Sequence, residues 1–155
     1  MGVSTSWFDV NTVSSNVRPR FIGGAFILYE HSPQLFIQPG IMFIRKGGTI
    51  ELGDKAVSYF EMPLVVSRRL LQYPSLMGCR EGLYLDVAPY TAVRLGDSSI
   101  FSRSDAGLKI GLSTTLGSFM LATGYAHGFQ NIRPSNGSEV FNRSLYLQAS
   151  LILGR

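Results

Sequence analysis

Charge is scarce in this chain. Asp, Glu, Lys and Arg make up 15% of its 155 residues, against about 25% in ordinary soluble proteins. That deficit is evidence that part of the surface does not face water. Cysteine occurs once, at Cys79, which excludes an intrachain disulfide. The surrounding Leu76-Met77-Gly78-Cys79 looks like a lipoprotein cleavage box, but such a box belongs at the end of an N-terminal apolar stretch, so it reads as chance. Long apolar runs are absent, and Met62 to Val66 is typical of the longest. A membrane helix needs about 18 or more such residues, whereas a barrel strand needs only about 9–11 that alternate. A spanning helix is therefore excluded and a spanning strand is not. Histidine is limited to His31, in a short turn, and His127, near a strand end. The pair makes no metal site, and neither metal nor cofactor is expected. Basic residues exceed acidic ones, 14 to 10, but they are scattered. No basic run interleaves with aromatics, so nucleic acid is not an expected partner.

Strand-like alternation is what the chain does have. In Leu83 to Arg94, one row is Leu83, Leu85, Val87, Pro89, Thr91 and Val93, and the other is Tyr84, Asp86, Ala88, Tyr90, Ala92 and Arg94. A period of two sends these rows to opposite faces of a strand. One row is free of charge and the other carries it. Eight strands are expected: Gly2 to Asp9, Arg20 to Tyr29, Gln34 to Arg45, Ser58 to Ser67, Leu83 to Arg94, Asp105 to Thr115, Ser118 to Phe129 and Phe141 to Leu153. In the second, Ile22, Phe26 and Leu28 compete with Phe21, Ile27 and Tyr29 for the apolar face. Glycine is abundant at 17 residues, as suits bends and turns.

The connections mostly alternate in length. Val10 to Pro19, Lys46 to Val57, Leu95 to Ser104 and Gln130 to Val140 are long and polar, whereas His31 to Pro33 and Thr115 to Gly117 are short. Outer-membrane barrels have this rhythm of long external loops and short periplasmic turns. One connection breaks it, Arg68 to Glu81, where Arg68-Arg69-Leu70-Leu71-Gln72 lacks alternation and predicts a short helix. Gly47-Gly48 is assigned to the hairpin after the third strand. It lacks the following helix that a phosphate loop needs.

A soluble barrel is greasy inside. The order of segments and loops here implies the reverse, an apolar exterior and a polar interior, as in a barrel dissolved in lipid. The expected fold is therefore all-β, a single eight-stranded antiparallel up-and-down transmembrane β-barrel over residues 1–155. Its lipid-facing residues would include Ile41, Phe43, Met62, Leu64, Leu85, Val87, Ile110, Leu112, Leu121 and Leu147. Its polar lumen would hold Gln38, Glu61, Tyr84, Asp86, Arg94, Lys109, Tyr146 and Gln148. Eight strands leave an interior just wide enough for side chains, and buried charges need partners. These polar residues therefore read as a filling network rather than an ion path. Trp7, Phe8, Tyr29, Phe43, Tyr59, Phe60, Tyr125, Phe129 and Phe141 fall near strand ends and are assigned to interfacial girdles.

Several short stretches form an ordered set: Gln34 to Gly47 with its Gln38-Pro39-Gly40 centre, Tyr59-Phe60-Glu61-Met62-Pro63-Leu64, Leu83 to Tyr90 ending Ala88-Pro89-Tyr90, Asp105-Ala106-Gly107-Leu108, Gly124 to Ile132, and Val140-Phe141-Asn142-Arg143. In order and spacing, from about residue 20 to the end, they resemble the PorT-like outer-membrane β-barrel proteins of Bacteroidota. The chain departs from the pattern at its Leu153-Gly154-Arg155 terminus and at Gly124, where the family commonly has Arg. The resemblance implies a small barrel of the bacterial outer membrane, either uncharacterised or an accessory part of secretion machinery. Its partners would be outer-membrane lipids and other outer-membrane or periplasmic proteins. Met1-Gly2-Val3 runs straight into strand-like sequence, as expected of a mature sequence with an added Met.

The expected function is structural or accessory, and not enzymatic. Three alternatives stand beside it: a small-solute pore, a lipid A-modifying enzyme and a soluble lipocalin-like barrel. The enzyme would use His127 as base with Ser118 or Ser138 as nucleophile. Against it, Phe129 occupies the position two residues after His127, where the deacylase pattern has Ser. The sequons at Asn136 and Asn142 read as chance in a bacterial protein.

Overall fold

Alternating side chains give strands throughout the described part of this chain. The computed structural model describes residues 2–10, 13–14, 18–50, 53–73, 81–96, 103–130 and 140–152, with side chains within 21–45, 58–73, 81–96, 103–130 and 141–152. The strands are β1 (Gly2–Val10), β2 (Val13–Ser14), β3 (Arg18–Phe26), β4 (Tyr29–Ser32), β5 (Leu35–Ile50), β6 (Gly53–Gln72), β7 (Gly82–Leu95), β8 (Ser104–Leu116), β9 (Phe119–Gly128) and β10 (Val140–Leu151).

Neighbours in sequence pair antiparallel, in the order β10-β9-β8-β7-β6-β5-β3-β1. β1 then pairs with β10, from Gly2↔Gln148 to Val10↔Val140. That last pairing closes the sheet on itself. β4 lies along β5 and extends the line of β3, while β2 is a short addition to β1. The wall is thus an eight-stranded antiparallel up-and-down barrel, the fold class that the alternation predicts.

The connections divide the barrel into two ends. At one end, tight turns fall at Pro33-Gln34 and Gly117-Ser118. Gly117 has a φ of +59°, which glycine adopts without steric penalty. The longer β6–β7 connection, residues 73–81, lies at this same end, whereas the long connections 96–103 and 129–139 lie at the other end with the β5–β6 turn; many of these residues are outside the described part.

Two connections differ from expectation. Arg68 to Gln72 is strand, not helix: Arg68 pairs with Leu85, Arg69 with Tyr84, Leu71 with Leu83 and Gln72 with Gly82. The register shifts between Arg69 and Leu71, so Leu70 is a bulge residue. One extra residue resets the parity, which is why alternation fails there. Residues 46–50 and 53–57 are strand as well. β5 and β6 pair continuously from Arg45↔Ser58 to Ile50↔Gly53, so the turn lies beyond Ile50. Gly47 and Gly48 face Ala56 and Lys55 inside the ladder and do not make the turn.

Candidate functional site: a polar lumen inside an apolar wall

Parity fixes which side chains share the interior. Along β7 the rows separate cleanly: Tyr84, Asp86, Ala88, Tyr90 and Ala92 are buried, while Leu85, Val87, Pro89, Thr91 and Val93 are exposed. The same division runs through β5, β6 and β8. Gln38, Met42, Ile44, Glu61, Pro63, Ser67, Gly107, Gly111 and Ser113 point inward. Ile41, Phe43, Met62, Leu64, Ile110, Leu112, Leu121 and Leu147 point outward with Leu85 and Val87, each more than a third exposed. The ambiguous second strand resolves with Ile22 inside at 2% exposure and Phe21 outside at 54%.

The lumen is organised around one ion pair. Glu61 is fully buried, and Lys109 Nζ forms a salt bridge with its Oε1. The ammonium lies 5.4 Å from the centre of the Tyr90 ring and 5.7 Å from that of Tyr146, within reach of a cation–π attraction. Desolvating two charges is costly unless further polar groups surround them, and these two rings supply part of that surrounding. Asp86 lies opposite Ser67 in the β6–β7 register, with the Ser113 hydroxyl also beside it. Gln38 Nε2 donates to Ser67 Oγ at 2.9 Å. Gln148 Nε2 donates to Ser150 Oγ at 3.1 Å. Arg94 lies at the long-connection rim, where its Nε donates to the Gly96 carbonyl at 3.2 Å.

Large and small residues interlock to fill the remaining space. A Cβ on Gly124 would meet Tyr146 Oη at 2.6 Å, and one on Gly107 would meet Tyr90 Oη at the same 2.6 Å. The two tyrosines therefore lie where only glycine leaves room for them. A cavity of about 40 Å³ remains between Gln38, Met42, Asp86, Lys109 and Tyr146. That admits a few waters.

Several interior residues escaped the sequence reading. Asn142 Nδ2 donates to Asp105 Oδ2 at 2.8 Å in a buried contact between β10 and β8. Glu81 is buried at the short-turn end, where its Oε1 accepts from the Gly117 amide at 3.2 Å. The Arg69 guanidinium stacks over Phe36 and Tyr84, 5.3 and 5.6 Å from the ring centres, and these rings meet edge to face at 5.4 Å. Tyr59, assigned to a girdle, is instead fully buried, because it shares the parity of Glu61. Alternation could have placed Tyr59, Ser67 and Asn142 inside. Their partners depend on strand register, which alternation does not give.

On the outer wall near the long-connection end, His127 stacks against Phe141 with ring planes 17° apart. It also contacts Phe129, and its Nδ1 lies 3.4 Å from Tyr125 Oη. Ser118 sits in the turn at the opposite end of β9, about 30 Å away at 3.3 Å per residue. The structure does not bring this serine to His127. Ser138 and the side chains of Trp7 and Phe8 lie outside the described residues. Among the described residues, no group of three His, Cys, Asp or Glu side chains could hold a metal. Comparison of the chain with family models, with curated proteins and with solved structures returns no match.

Proposed function

We propose that this chain is a small integral β-barrel of a bacterial outer membrane with a filled lumen. In this reading it serves as a structural or partner-binding component of an outer-membrane assembly, and it is not an enzyme. One observation carries the membrane reading: the barrel is inside out. Leu85, Ile110 and Leu147 are 38%, 52% and 63% exposed, while Asp86 is 6% exposed. In water such a wall would be an apolar surface far beyond what monomeric soluble proteins show. In lipid it is the ordinary arrangement. The resemblance to PorT-like barrels supports the accessory role and the Bacteroidota setting.

The filled lumen argues against the small-solute pore. The separation of His127 from Ser118 removes one catalytic pairing open to a lipid A-modifying enzyme. The outward apolar rows argue against a lipocalin-like barrel, which holds its apolar residues within.

Membrane fractionation with detergent extraction tests residence, and cross-linking in native membranes tests the accessory role. The chain is expected in the outer-membrane fraction, released only by detergent, and linked to other envelope proteins. A monodisperse chain in buffer without detergent would overturn the reading.

A further inference from the structure

A notch interrupts the wall at the short-turn rim. β5 begins at Leu35, whose partner on β6 is Arg68. β6 runs on to Gln72, held on its other side by β7 through Arg69↔Tyr84, Leu71↔Leu83 and Gln72↔Gly82. On the β5 side the Arg69 amide donates to the Gln34 carbonyl at 2.8 Å. Beside that bond lies a cavity of about 300 Å³, lined by Pro33, Gln34 and residues 68–72. Small-ligand sites begin at about this volume.

Two arginines border the notch from opposite faces of the strand. Arg68 shares the outward row of Leu35 and Leu85 and is exposed. Arg69 has the opposite parity, and its guanidinium lies against the inward Phe36 and Tyr84 rings. A gap in the edge of a wall is reached from both of its faces, so residues of opposite parity border one cavity.

The Arg69 head group is held in place but not saturated. Its Nη1 donates to Gln72 Oε1 only at 3.4 Å. Its Nε and Nη2 are buried, with no hydrogen-bond partner among the described residues. A buried charged donor left unpaired is costly, so this arrangement calls for an acceptor. Among the described residues no carboxylate lines the cavity. The stretch that follows, residues 74–80, contains Arg80 and no Asp or Glu. The surface around the notch is apolar: Leu70 and Leu71 are 48% and 56% exposed, and Tyr73 is 37% exposed.

We propose that this notch binds the phosphate of an anionic glycerophospholipid, whose acyl chains lie on Leu70 and Leu71. Arg69 donates to the phosphate oxygens, and Arg68 adds a second positive charge. A guanidinium meets phosphate through parallel N–H···O bonds. The ring stack fixes its plane beforehand, which lowers the ordering cost of binding. Two cations with no carboxylate in the lining favour a headgroup of net negative charge. A zwitterionic headgroup would bring an ammonium that both arginines repel. The exposed leucines favour a lipid over a free phosphate ion, which gains nothing from apolar neighbours. The inference rests on the outer-membrane reading, which puts this rim at the periplasmic headgroup level.

The test uses the 155-residue chain in nanodiscs of phosphatidylcholine mixed with phosphatidylglycerol. Barrels released into detergent are examined by native mass spectrometry for the lipid they retain. Retention of one phosphatidylglycerol per chain is expected, in preference to phosphatidylcholine. Arg69→Gln should weaken retention about tenfold, the loss expected for one hydrogen bond to a charged group. Arg68→Gln, at an exposed position outside the ring stack, should weaken it by a smaller factor. Arg103→Gln removes the same charge from an exposed position at the opposite rim and should change nothing. No preference between the two lipids would overturn the proposal. So would unchanged retention in either notch variant, or an equal loss in Arg103→Gln, which would mark general charge attraction. Inorganic phosphate is titrated separately onto the chain in pure phosphatidylcholine nanodiscs, and no saturable binding is expected. Saturation that Arg69→Gln abolishes would assign the notch to a soluble anion and overturn the lipid assignment. Protease resistance of the barrel scores insertion of the parent and folding of each variant. If Arg69→Gln does not fold, Arg68→Gln decides alone. A parent chain that fails to insert sinks the outer-membrane reading, whereas one that inserts without preferring phosphatidylglycerol sinks this inference alone.

Discussion

Lys109 on β8 reaches past the inward face of β7 to form its salt bridge with Glu61 on β6. Two wall strands that do not pair with each other are thereby joined through the interior. The bond braces the barrel across its bore, as the ladder hydrogen bonds brace it around its circumference.

Removing one end of that brace should be costly. Lys109→Met deprives a fully buried carboxylate of its cation, a change worth about 3–5 kcal/mol. The double variant Lys109→Met, Glu61→Leu should recover most of the loss. Urea unfolding in lipid vesicles, run as a double-mutant cycle, measures both values. A single variant as stable as the parent would show that the pair does not hold the lumen together.

Outer-wall substitutions separate a lipid setting from an aqueous one. Leu85→Arg should cost about 2–4 kcal/mol in a bilayer and block assembly into protease-resistant barrel. In a soluble barrel the same surface change would stay within about 0.5 kcal/mol. Ser150→Ala, an inward change near the end of β10, should be mild in either setting.

The tyrosine–glycine interlock predicts an overpacking penalty. Gly124→Ala places a methyl group 2.6 Å from Tyr146 Oη, and overpacking of this kind costs about 1–3 kcal/mol. Tyr146→Phe in the same chain should return the part due to the hydroxyl. Denaturant midpoints of the single and double variants provide the comparison.

A filled bore should not conduct. The parent barrel in planar bilayers is expected to give no steady channel. Tyr90→Ala combined with Tyr146→Ala empties the space above the glycines and should raise conductance measurably. Steady channels from the parent would reverse the argument and favour the pore.

The sequence made the two faces readable wherever strands run without interruption. The β7 rows alternate without a break, and from Tyr84 to Val93 buried and exposed residues alternate with them. Alternation fails at Leu70, where a bulge breaks the period, and at residues 46–50 and 53–57, where paired strands carry no strand-like apolar row. Contacts between distant residues were not legible at all. Gln38 and Ser67 lie 29 positions apart, and Asp105 and Asn142 lie 37 apart. Which of them meet depends on the stagger between strands. Tyr59 lies near a strand end, as a girdle residue would, but its shared parity with Glu61 puts it inside.

The long β5–β6 hairpin has a mechanical consequence. It stays paired through Ile50↔Gly53, while β6 bonds to β7 only from Ser58 onward. Traction on its tip along the strand axis would load the seams with β3 and β7 lengthwise. Many bonds would then share the force together instead of parting in succession. Force applied at that end would therefore be shared along the wall before the hairpin parted from it.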